Sequence, residues 1–292
     1  MIKYDPIALY VCIDDFSKVY EEWEKSKLLG GGRNRVREGK LSLAEQLFIV
    51  VLYHLEGFKN FKYYYKYAVE IKYKELFKEV PCYDRFVQIM SKILLPLSVL
   101  LQMLFGEERG IYFLDATKIS ICHNKREKRN KVFKKLAGKG KTSMGWFFGF
   151  KLHMVINDKG QIMAIKITKG NVDDRVPVQD LTKKLKGSIY ADKGYVSAML
   201  FKDLYRRGLK LVTGIRKNMK NHLTELTDKI LLRKRFCIET IFGFLKNSMN
   251  LEHTRHRSPT NFLINIIAAL TAYSLTKGKA KNLNSSFPLI HS

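Results

Sequence analysis

The chain has 292 residues, enough for one large domain or two modest ones. Its 53 Lys and Arg against 27 Asp and Glu give a formal net charge of +26, which predicts a polyanionic partner. Nucleic acid is the first candidate and an anionic membrane surface the second, while a Lys-rich proteome is the alternative explanation. The four cysteines form no CxxC pair, which argues against a zinc site or a disulfide framework and favours reduced thiols.

The apolar segments of the sequence predict neither secretion nor membrane insertion. Asp5, Asp14 and Asp15 surround the first apolar run, unlike a signal peptide. The longest apolar segments, 94–105 and 262–275, are shorter than a membrane span. We therefore expect a soluble cytoplasmic protein with no membrane partner.

Residues 1–108 are predicted to be all helical. One helix is expected over 13–29. A second begins at the capping box Ser42-Leu-Ala-Glu45 and runs to about residue 55. This region is the candidate DNA-binding domain, compatible with a helix-turn-helix, although no one helix stands out as the recognition helix.

A third helix and two basic segments complete this region. Asp84 is expected to cap the helix, and Pro96 to bend or end it near Leu95. The glycine-arginine run 30–35 and the alternating Lys and Tyr residues of 59–67 can both contact phosphates. A solvated linker and a solvated helix face explain the same residues equally well.

From residue 109 the periodicity becomes that of strands. The predicted strands are 111–122, 147–156, 161–168, 188–192 and 209–215. Asn157-Asp-Lys-Gly160 is a hairpin turn signal, so Asp158 is predicted to be a turn residue and not a catalyst.

Helices are predicted between the later strands. Asp173 and Asp174, followed by Pro177, indicate a helix start within 171–187. Another helix is expected over 197–207, and the helix that bears Glu239 follows the last strand.

This order of elements predicts an α/β fold. Three strands in a meander, followed by alternating helices and strands, are typical of a ribonuclease H-like mixed sheet flanked by helices, which we place at 109–276. The apolar helix 261–275 is expected to pack against that sheet. Residues 277–292 lose periodicity and are predicted to be a flexible tail.

The segment 124–146 is predicted to be a flexible basic arm between strands. Between Lys125 and Lys141 it holds nine Lys or Arg and one acid, with no amphipathic period. Phosphate binding is favoured over a solvated loop because such contacts dominate non-specific affinity for DNA. The candidate contacts are Lys134, Lys135, Lys139 and Lys141.

Three acids form the candidate catalytic set. Asp115 interrupts an apolar strand and Asp192 follows another. On the third element, a helical rotation of 100° per residue brings Arg235, Glu239 and Lys246 within roughly 40° of one another. Three carboxylates on two strands and a helix predict a two-metal phosphodiester site.

The same residues carry a family resemblance. The matching pieces are Leu114-Asp115, Gly149-Phe-Lys-Leu-His153, Gly170-Asn-Val-Asp-Asp174, Ala191-Asp-Lys-Gly-Tyr195 and the Glu239 helix. In this order they make the chain resemble bacterial insertion-sequence transposases of the DDE type, most closely insertion-sequence family nine-eighty-two. Relatives share a Tyr-x2-Arg-x3-Glu-x6-Lys signature. Arg235, Glu239 and Lys246 fit it, and Leu232 stands at the tyrosine position.

The resemblance implies a ribonuclease H-like enzyme that cleaves DNA at its element's terminal inverted repeats and transfers the strands into target DNA. Asp115, Asp192 and Glu239 would be the catalytic residues and hold two Mg²⁺ ions, with Mn²⁺ as a substitute. Arg235 and Lys246 would contact phosphates. The partner would be double-stranded DNA, bound by a homodimer in the bacterial nucleoid.

Two further residues are weaker candidates for DNA contact. His153 can orient a carboxylate or a phosphate, or be a structural histidine, and Lys193 is expected to lie near DNA. Three other functions stay open: a nuclease of the same fold that cuts without joining, a decayed or recruited non-catalytic DNA-binding copy, and an RNA-binding scaffold. The last ranks lowest because no aromatic RNA-recognition motif is present.

Overall fold

The computed structural model describes residues 4–28, 39–143, 145–214, 225–252 and 256–276, so the predicted basic loop 30–35 and the predicted tail 277–292 lie outside it. The α-helices are α1 (Pro6–Leu28), α2 (Leu43–Tyr53), α3 (Phe61–Tyr64), α4 (Tyr83–Ile89), α5 (Leu94–Met103), α6 (Val178–Leu181), α7 (Ala198–Arg206), α8 (Leu226–Lys234), α9 (Phe236–Asn247) and α10 (Pro259–Thr276). The strands are β1 (Ile111–Cys122), β2 (Gly138–Thr142), β3 (Gly145–Asn157), β4 (Ile162–Lys169), β5 (Gly187–Ala191) and β6 (Leu209–Thr213).

The chain forms two compact units. Unit 1 comprises Met1–Leu104, Asn247–Leu251 and Ser258–Ser292, and unit 2 comprises Phe105–Lys246 and Glu252–Arg257. The prediction that α10 packs against the sheet is wrong, because α10 packs on α2 and α5 within unit 1. The α10 sequence is apolar around most of its circumference, so its pattern does not specify a partner.

The predicted capping box of α2 is confirmed. The Ser42 side chain accepts from the Glu45 amide, and the Glu45 carboxylate accepts from the Ser42 amide. The predicted cap at Asp84 is wrong: Cys82 is the N-cap of α4, and Asp84 lies in the first turn. A side chain caps a helix from the residue whose own backbone is still extended just before the first turn, and here that residue is Cys82.

The helical path changes geometry before Pro96. A 3₁₀ turn at Met90–Ile93 separates α4 from α5, and Pro96 lies in the first turn of α5. Proline is tolerated in a first turn because the amides there have no intrahelical acceptor. The predicted break is therefore present but precedes the proline.

The Lys-Tyr segment forms α3 and a π-helix at Tyr65–Lys72. Tyr64 and Tyr65 are buried, and their hydroxyls donate to the Ile49 and Pro81 carbonyls. These two tyrosines belong to the core of unit 1. Only other rings of the segment, such as Tyr63, are available for a surface contact.

One helical stretch of unit 1, Tyr83–Met103, is long and apolar enough to cross a membrane by length and composition. A single such stretch is weak evidence, because the core helix of a soluble protein has the same properties. Phe86, Leu97 and Leu100 of this stretch are buried within the unit. The absence of a membrane partner stays a prediction.

A buried histidine lies in the core of unit 1. His54 is 1% exposed, and its Nδ1 lies 2.5 Å from the Met249 carbonyl oxygen, so Nδ1 carries the proton and donates. Burial lowers the pKa of His54 from 6.5 to about 4. Charging this side chain therefore opposes folding.

The sheet of unit 2 has the order β2-β3-β1-β5-β6, with β4 also pairing with β3. The pairs of β3 with β1, β2 and β4 are antiparallel, and the β1–β5 and β5–β6 pairs are parallel. The predicted hairpin turn is confirmed, since the Gly160 amide donates to the Asn157 carbonyl at 2.9 Å. The strand predictions from 111 onward are confirmed to within about two residues, the usual uncertainty of an element end.

Helices cover both faces of the sheet. On one face, Leu114 and Ile189 belong to a cluster with residues of α6 and α7, including Val178 and Leu204. On the other face, Asp228 of α8 accepts a hydrogen bond from the Tyr190 hydroxyl at 2.7 Å and one from Lys210 at 2.8 Å. Alternation along β1 and β5 therefore sends successive side chains to two different helical layers.

The prediction of a flexible basic arm at 124–146 is wrong. A 3₁₀ helix at Asn124–Arg129 and strand β2 give the arm regular structure, and Phe133 is fully buried. The sequence Gly138-Lys-Gly-Lys141 has the two-residue period of a strand with one face buried, which the count of charges concealed. The arm is an ordered hairpin on β3.

Two glycines allow this hairpin to lie close to the sheet. A Cβ atom at Gly140 would collide with the Gly170 carbonyl and with the Phe147 ring, and one at Gly138 would collide with Asn171. The opposite face of β2 carries Lys139 and Lys141, which are exposed.

We expect acid to destabilise the protein through His54. The folded pKa lies below the unfolded one, so this contribution to stability is complete above about pH 6.5 and is lost as the pH falls to about 4, up to about 3 kcal/mol. His54→Asn keeps a donor for Met249 and should flatten this part of the curve of unfolding free energy against pH. His123→Asn, on an exposed side chain, is the control and should leave the curve unchanged.

Gly140→Ala should destabilise the protein by about 1–3 kcal/mol, because the added methyl group meets backbone as well as a ring. Gly39→Ala is the matched control, since its Cβ would meet only an ordinary van der Waals neighbour. Chemical denaturation of both variants measures the difference. Equal stabilities would contradict the close packing of β2.

Candidate active site

Two of the predicted acids lie just beyond the last residue pair of the β1–β5 ladder. In the parallel pair β1–β5, Leu114 is opposite Ala191, and this is the last pair of the ladder. Asp115 and Asp192 are the next residues on their strands. Because the strands run in the same direction, the register alone brings these two acids to one edge of the sheet.

The third acid reaches this edge through an arginine. Arg235 lies between α8 and α9, and its guanidinium donates to Asp115 Oδ2 at 3.2 Å and to Glu239 Oε1 at 2.7 Å. The predicted helical proximity of Arg235 and Glu239 is confirmed by this contact. Arg235 is the physical link between β1 and α9.

The environment of Asp115 disfavours its charged form. Burial raises the pKa of Asp115 to about 6, with smaller increases from Glu239 and Asp192. The Ala116 amide, which donates at 2.8 Å, and Arg235 oppose the increase. The three acids are therefore close enough to repel one another, and a cation at this edge would relieve that repulsion.

The donor chemistry suits a hard divalent cation, since all three acids offer carboxylate oxygens. In addition, the buried Tyr195 hydroxyl finds no hydrogen-bond partner among the described residues, and its pKa is raised by burial and by the nearby charges of Asp115, Asp174 and Asp192. Nevertheless, in the described part of the chain no three His, Cys, Asp or Glu side chains are gathered as a ready metal site. The three acids offer the oxygen donors that such an ion prefers, but here Arg235 bridges two of them, Asp115 and Glu239.

The acids Asp173 and Asp174 do not cap a helix as predicted. Helix α6 begins at Val178 with Pro177 as its N-cap. The Asp173 carboxylate instead accepts hydrogen bonds from the amide and the guanidinium of Arg175, which forms a turn. Asp174 accepts from Lys151 at 2.8 Å. Short polar side chains form such turn contacts as readily as they cap helices, so sequence did not separate the two.

His153 lies inside the protein and not on a DNA-facing surface. It has no exposed area, its Nε2 lies 2.8 Å from Thr168 Oγ1, and its Nδ1 lies 4.0 Å from Asp174. Burial lowers its pKa to about 4, so it is neutral near pH 7. Contact with a phosphate is therefore excluded in this arrangement, and of its predicted roles a structural one or the orientation of a carboxylate remains.

Lys246 is also directed inward. Its Nζ donates to the Lys118 carbonyl at 2.6 Å and lies 3.3 Å from Glu252. Burial lowers its pKa. Sequence reasoning missed Glu252, which pairs with Lys246 and also accepts a hydrogen bond from the distant Ser120 amide at 2.8 Å.

The other predicted DNA contacts are on the surface. Lys134, Lys135, Lys139, Lys141 and Lys193 are all exposed. Sequence reasoning missed Trp146, which is 55% exposed with the ammonium groups of Lys139 and Lys141 at 5.5 and 5.6 Å from its ring. The available signal was an aromatic residue shortly after the repeat Gly138-Lys-Gly-Lys141.

The comparison with protein families identifies the domain. Residues 105–259 match the family model described as a Transposase DDE domain, which is more than half of the chain. The chain belongs to the DDE transposase family. The match spans Asp115, Asp192 and Glu239 and begins where unit 2 begins. DDE transposases generally use divalent metal ions, which agrees with the carboxylate donors found here.

No curated protein sequence matches this transposase significantly. Among solved structures, the piggyBac transposase synaptic complex with hairpin DNA is similar with a TM-score of 0.49 and 10% identity, over 95% of this chain and 76% of that one. The Mos1 mariner paired end complex with Mn gives 0.24 and 11%, over 91% and 88%. A simian T-cell lymphotropic virus intasome with a PP2A regulatory subunit gives 0.25 and 14%, over 62% and 60%. At these scores the assignment depends on the family match alone.

Removing the arginine link should make the acids depend more on an added cation. Near neutral pH and without divalent ions, we expect Arg235→Gln to lower the free energy of unfolding by about 1–3 kcal/mol, because two carboxylates lose a charged donor. Added Mg²⁺ should then stabilise the variant more than the wild type. Thermal unfolding with and without Mg²⁺ measures both effects.

Arg109→Gln is the matched control for this experiment. Its pair with Asp158 lies on an exposed hairpin turn and should contribute less than about 1 kcal/mol. An equal Mg²⁺ response of wild type and Arg235→Gln would contradict the view that Arg235 and the cation serve the same carboxylates.

Proposed function

We propose that this protein is a bacterial insertion-sequence transposase of the family nine-eighty-two kind, which binds the terminal inverted repeats of its element, cleaves there and joins the ends to target DNA. One observation carries the proposal. The β1–β5 ladder ends at Leu114 and Ala191, so Asp115 and Asp192 follow at one edge, where Arg235 holds Glu239 of α9 against Asp115. The family match supports the same reading of the domain.

The proposed fold of unit 2 is ribonuclease H-like. Its support is the strand order β4-β3-β1-β5-β6, in which the first pairs are antiparallel and the later ones parallel, with helices on both faces. In this sheet the β1–β5 ladder stops at Leu114 and Ala191, so Asp115 lies within β1 and Asp192 directly follows β5. Both acids are then placed by the backbone of the sheet and not by long flexible loops.

Asp115, Asp192 and Glu239 would hold the cation, with two Mg²⁺ ions as the expected load and Mn²⁺ as the substitute. The bound ions would supply the positive charge that activates a water or a 3′-hydroxyl and stabilises the leaving oxygen. Because the pKa of Asp115 is about 6, its carboxyl group is mostly ionised near neutral pH and can serve as an oxygen ligand. Arg235 orients two of the carboxylates and is placed to reach a phosphate beside them.

The ordered basic hairpin would supply affinity for double-stranded DNA. Lys139 and Lys141 lie on one exposed face of β2 beside Trp146, and the chain carries a net charge of +26. Lysines on a rigid strand can follow a phosphate backbone, and an exposed ring can pack on a sugar or a base. Binding of this kind weakens steeply with salt.

The remaining parts of the proposal concern the assembly. Two element ends must be held together for joining, so we propose a homodimer on DNA. The location would be the bacterial cytoplasm, at the nucleoid. A nuclease that cuts without joining, or a non-catalytic DNA-binding copy, would use the same surfaces, and the experiment below separates these alternatives.

Purified protein should cut DNA that carries the sequences flanking its own gene when Mg²⁺ or Mn²⁺ is present, and chelator should stop the reaction. Asp192→Asn should reduce cleavage by at least about 10³-fold, since a metal-holding carboxylate is lost. Asp158→Asn is the matched control, because Asp158 lies in the β3–β4 turn and pairs with Arg109, and it should cut at the wild-type rate.

The products distinguish the candidate functions. Joining of the cut 3′-hydroxyl ends to a target duplex supports the transposase. Cleavage without joining supports the nuclease, and binding without cleavage by the wild type with either metal would refute the proposed catalysis.

A further inference from the structure

Among the described residues, no strand pairs with one edge of β1 for much of its length. The ladder with β5 pairs residues 111–114 of β1 with 188–191 and stops there, whereas β1 continues to Cys122. From Asp115 onward, the backbone groups on that edge need other partners, because an unpaired and partly buried strand edge is unfavourable.

Two charged side chains satisfy this edge. Lys246 donates to the Lys118 carbonyl at 2.6 Å, and Glu252 Oε1 accepts from the Ser120 amide at 2.8 Å. The pair also closes on itself, with Lys246 Nζ at 3.3 Å from Glu252 Oε2. Lys118 and Ser120 are two positions apart, so their groups belong to the same edge of the strand.

Helix α9 is therefore attached to β1 at two points. At the first, Arg235 joins Glu239 to Asp115, and at the second, Lys246 binds Lys118. Glu239 and Lys246 are seven positions apart on the helix, about 10 Å at 1.5 Å per residue. Asp115 and Lys118 are three positions apart on the strand, also about 10 Å. The two spacings match, so the second attachment fixes how far along β1 the helix lies.

We propose that Lys246, together with Glu252, is a positioning residue that locks α9 to the open edge of β1 and so sets the place of Glu239 relative to Asp115, and that it does not bind DNA phosphate. This inference rests on the proposed function, since it assigns a task within that site. It differs from the sequence expectation, in which Lys246 contacts DNA. Its side chain is only 20% exposed and already has two partners, whereas the hairpin lysines have open surface.

The two roles predict opposite results for matched variants. Lys246→Met removes the attachment at similar side-chain volume, Glu252→Gln weakens it from the other side, and Lys141→Met removes an exposed hairpin lysine. For each variant, three quantities are measured: DNA affinity across a salt series, Mn²⁺ affinity of the free protein by electron paramagnetic resonance, and cleavage rate.

We expect Lys246→Met and Glu252→Gln to lower Mn²⁺ affinity by roughly 10-fold, as a displaced support of a ligand does. Cleavage should fall by a similar factor or more, while DNA affinity and its salt dependence stay within about twofold of wild type. The double variant with Lys246→Met and Glu252→Gln should have the same Mn²⁺ affinity and cleavage rate as Lys246→Met alone, since both changes remove the same attachment. Lys141→Met should instead weaken DNA binding and reduce the salt slope by about 1, with unchanged Mn²⁺ affinity.

Two outcomes would overturn the inference. If Lys246→Met behaves like Lys141→Met, and Glu252→Gln like wild type, Lys246 is a phosphate contact. If both variants bind Mn²⁺ and cut as wild type does, the attachment positions nothing.

Amide hydrogen exchange separates a failure of this inference from a failure of the proposed function. Faster exchange at Ser120 in Glu252→Leu, which removes the acceptor that Glu252→Gln retains, reports loss of the attachment directly and needs neither metal nor DNA. A wild-type protein that binds no Mn²⁺ and cuts no DNA would refute the proposed function and the positioning role together. Unchanged exchange at Ser120 would refute the attachment alone. Lys246→Arg, which keeps a donor, should restore most of the Mn²⁺ affinity that Lys246→Met loses.

Discussion

The end of the parallel ladder between β1 and β5 is the constraint on which unit 2 depends. Because β5 stops at Ala191, Asp192 leaves the sheet beside Asp115. The same stop leaves the rest of β1 with an open edge. The two consequences are linked, because the edge that brings Asp115 and Asp192 together is also the edge along which α9 is attached.

The charges of the three acids explain why a cation would stabilise this arrangement. Asp115 is largely buried, and burial with two neighbouring acids raises its pKa to about 6. Arg235 offsets part of that cost by bonding both Asp115 and Glu239. An arginine in a cluster of acids is thus stabilising for the protein alone, yet it occupies the oxygens that a divalent ion would use. Arg235 and a bound metal ion would therefore compete for the same carboxylate oxygens of Asp115 and Glu239.

Much of unit 2 could be predicted from sequence because its signals are local. The run Ile111–Cys122, the Asn157–Gly160 turn and the pairing of Arg235 with Glu239 follow from periodicity over a few residues. The destinations of Lys246 and α10 did not, since each depends on which distant surface is open. The sequence around Lys246 is the same whether its side chain points to a ligand or to a strand edge. The prediction of a flexible arm at 124–146 was wrong for another reason: the many charges concealed the two-residue period of strand β2.

The two faces of β2 have different constraints: one packs against the sheet and the other is exposed. Gly138 and Gly140 face the sheet, where no side chain fits, and Lys139 and Lys141 alternate with them on the outside beside Trp146. Substitutions on the outer face leave the buried face untouched. The outer residues of β2 can therefore be replaced, and the charge of this surface changed, while the close packing of Gly138 and Gly140 against the sheet is kept.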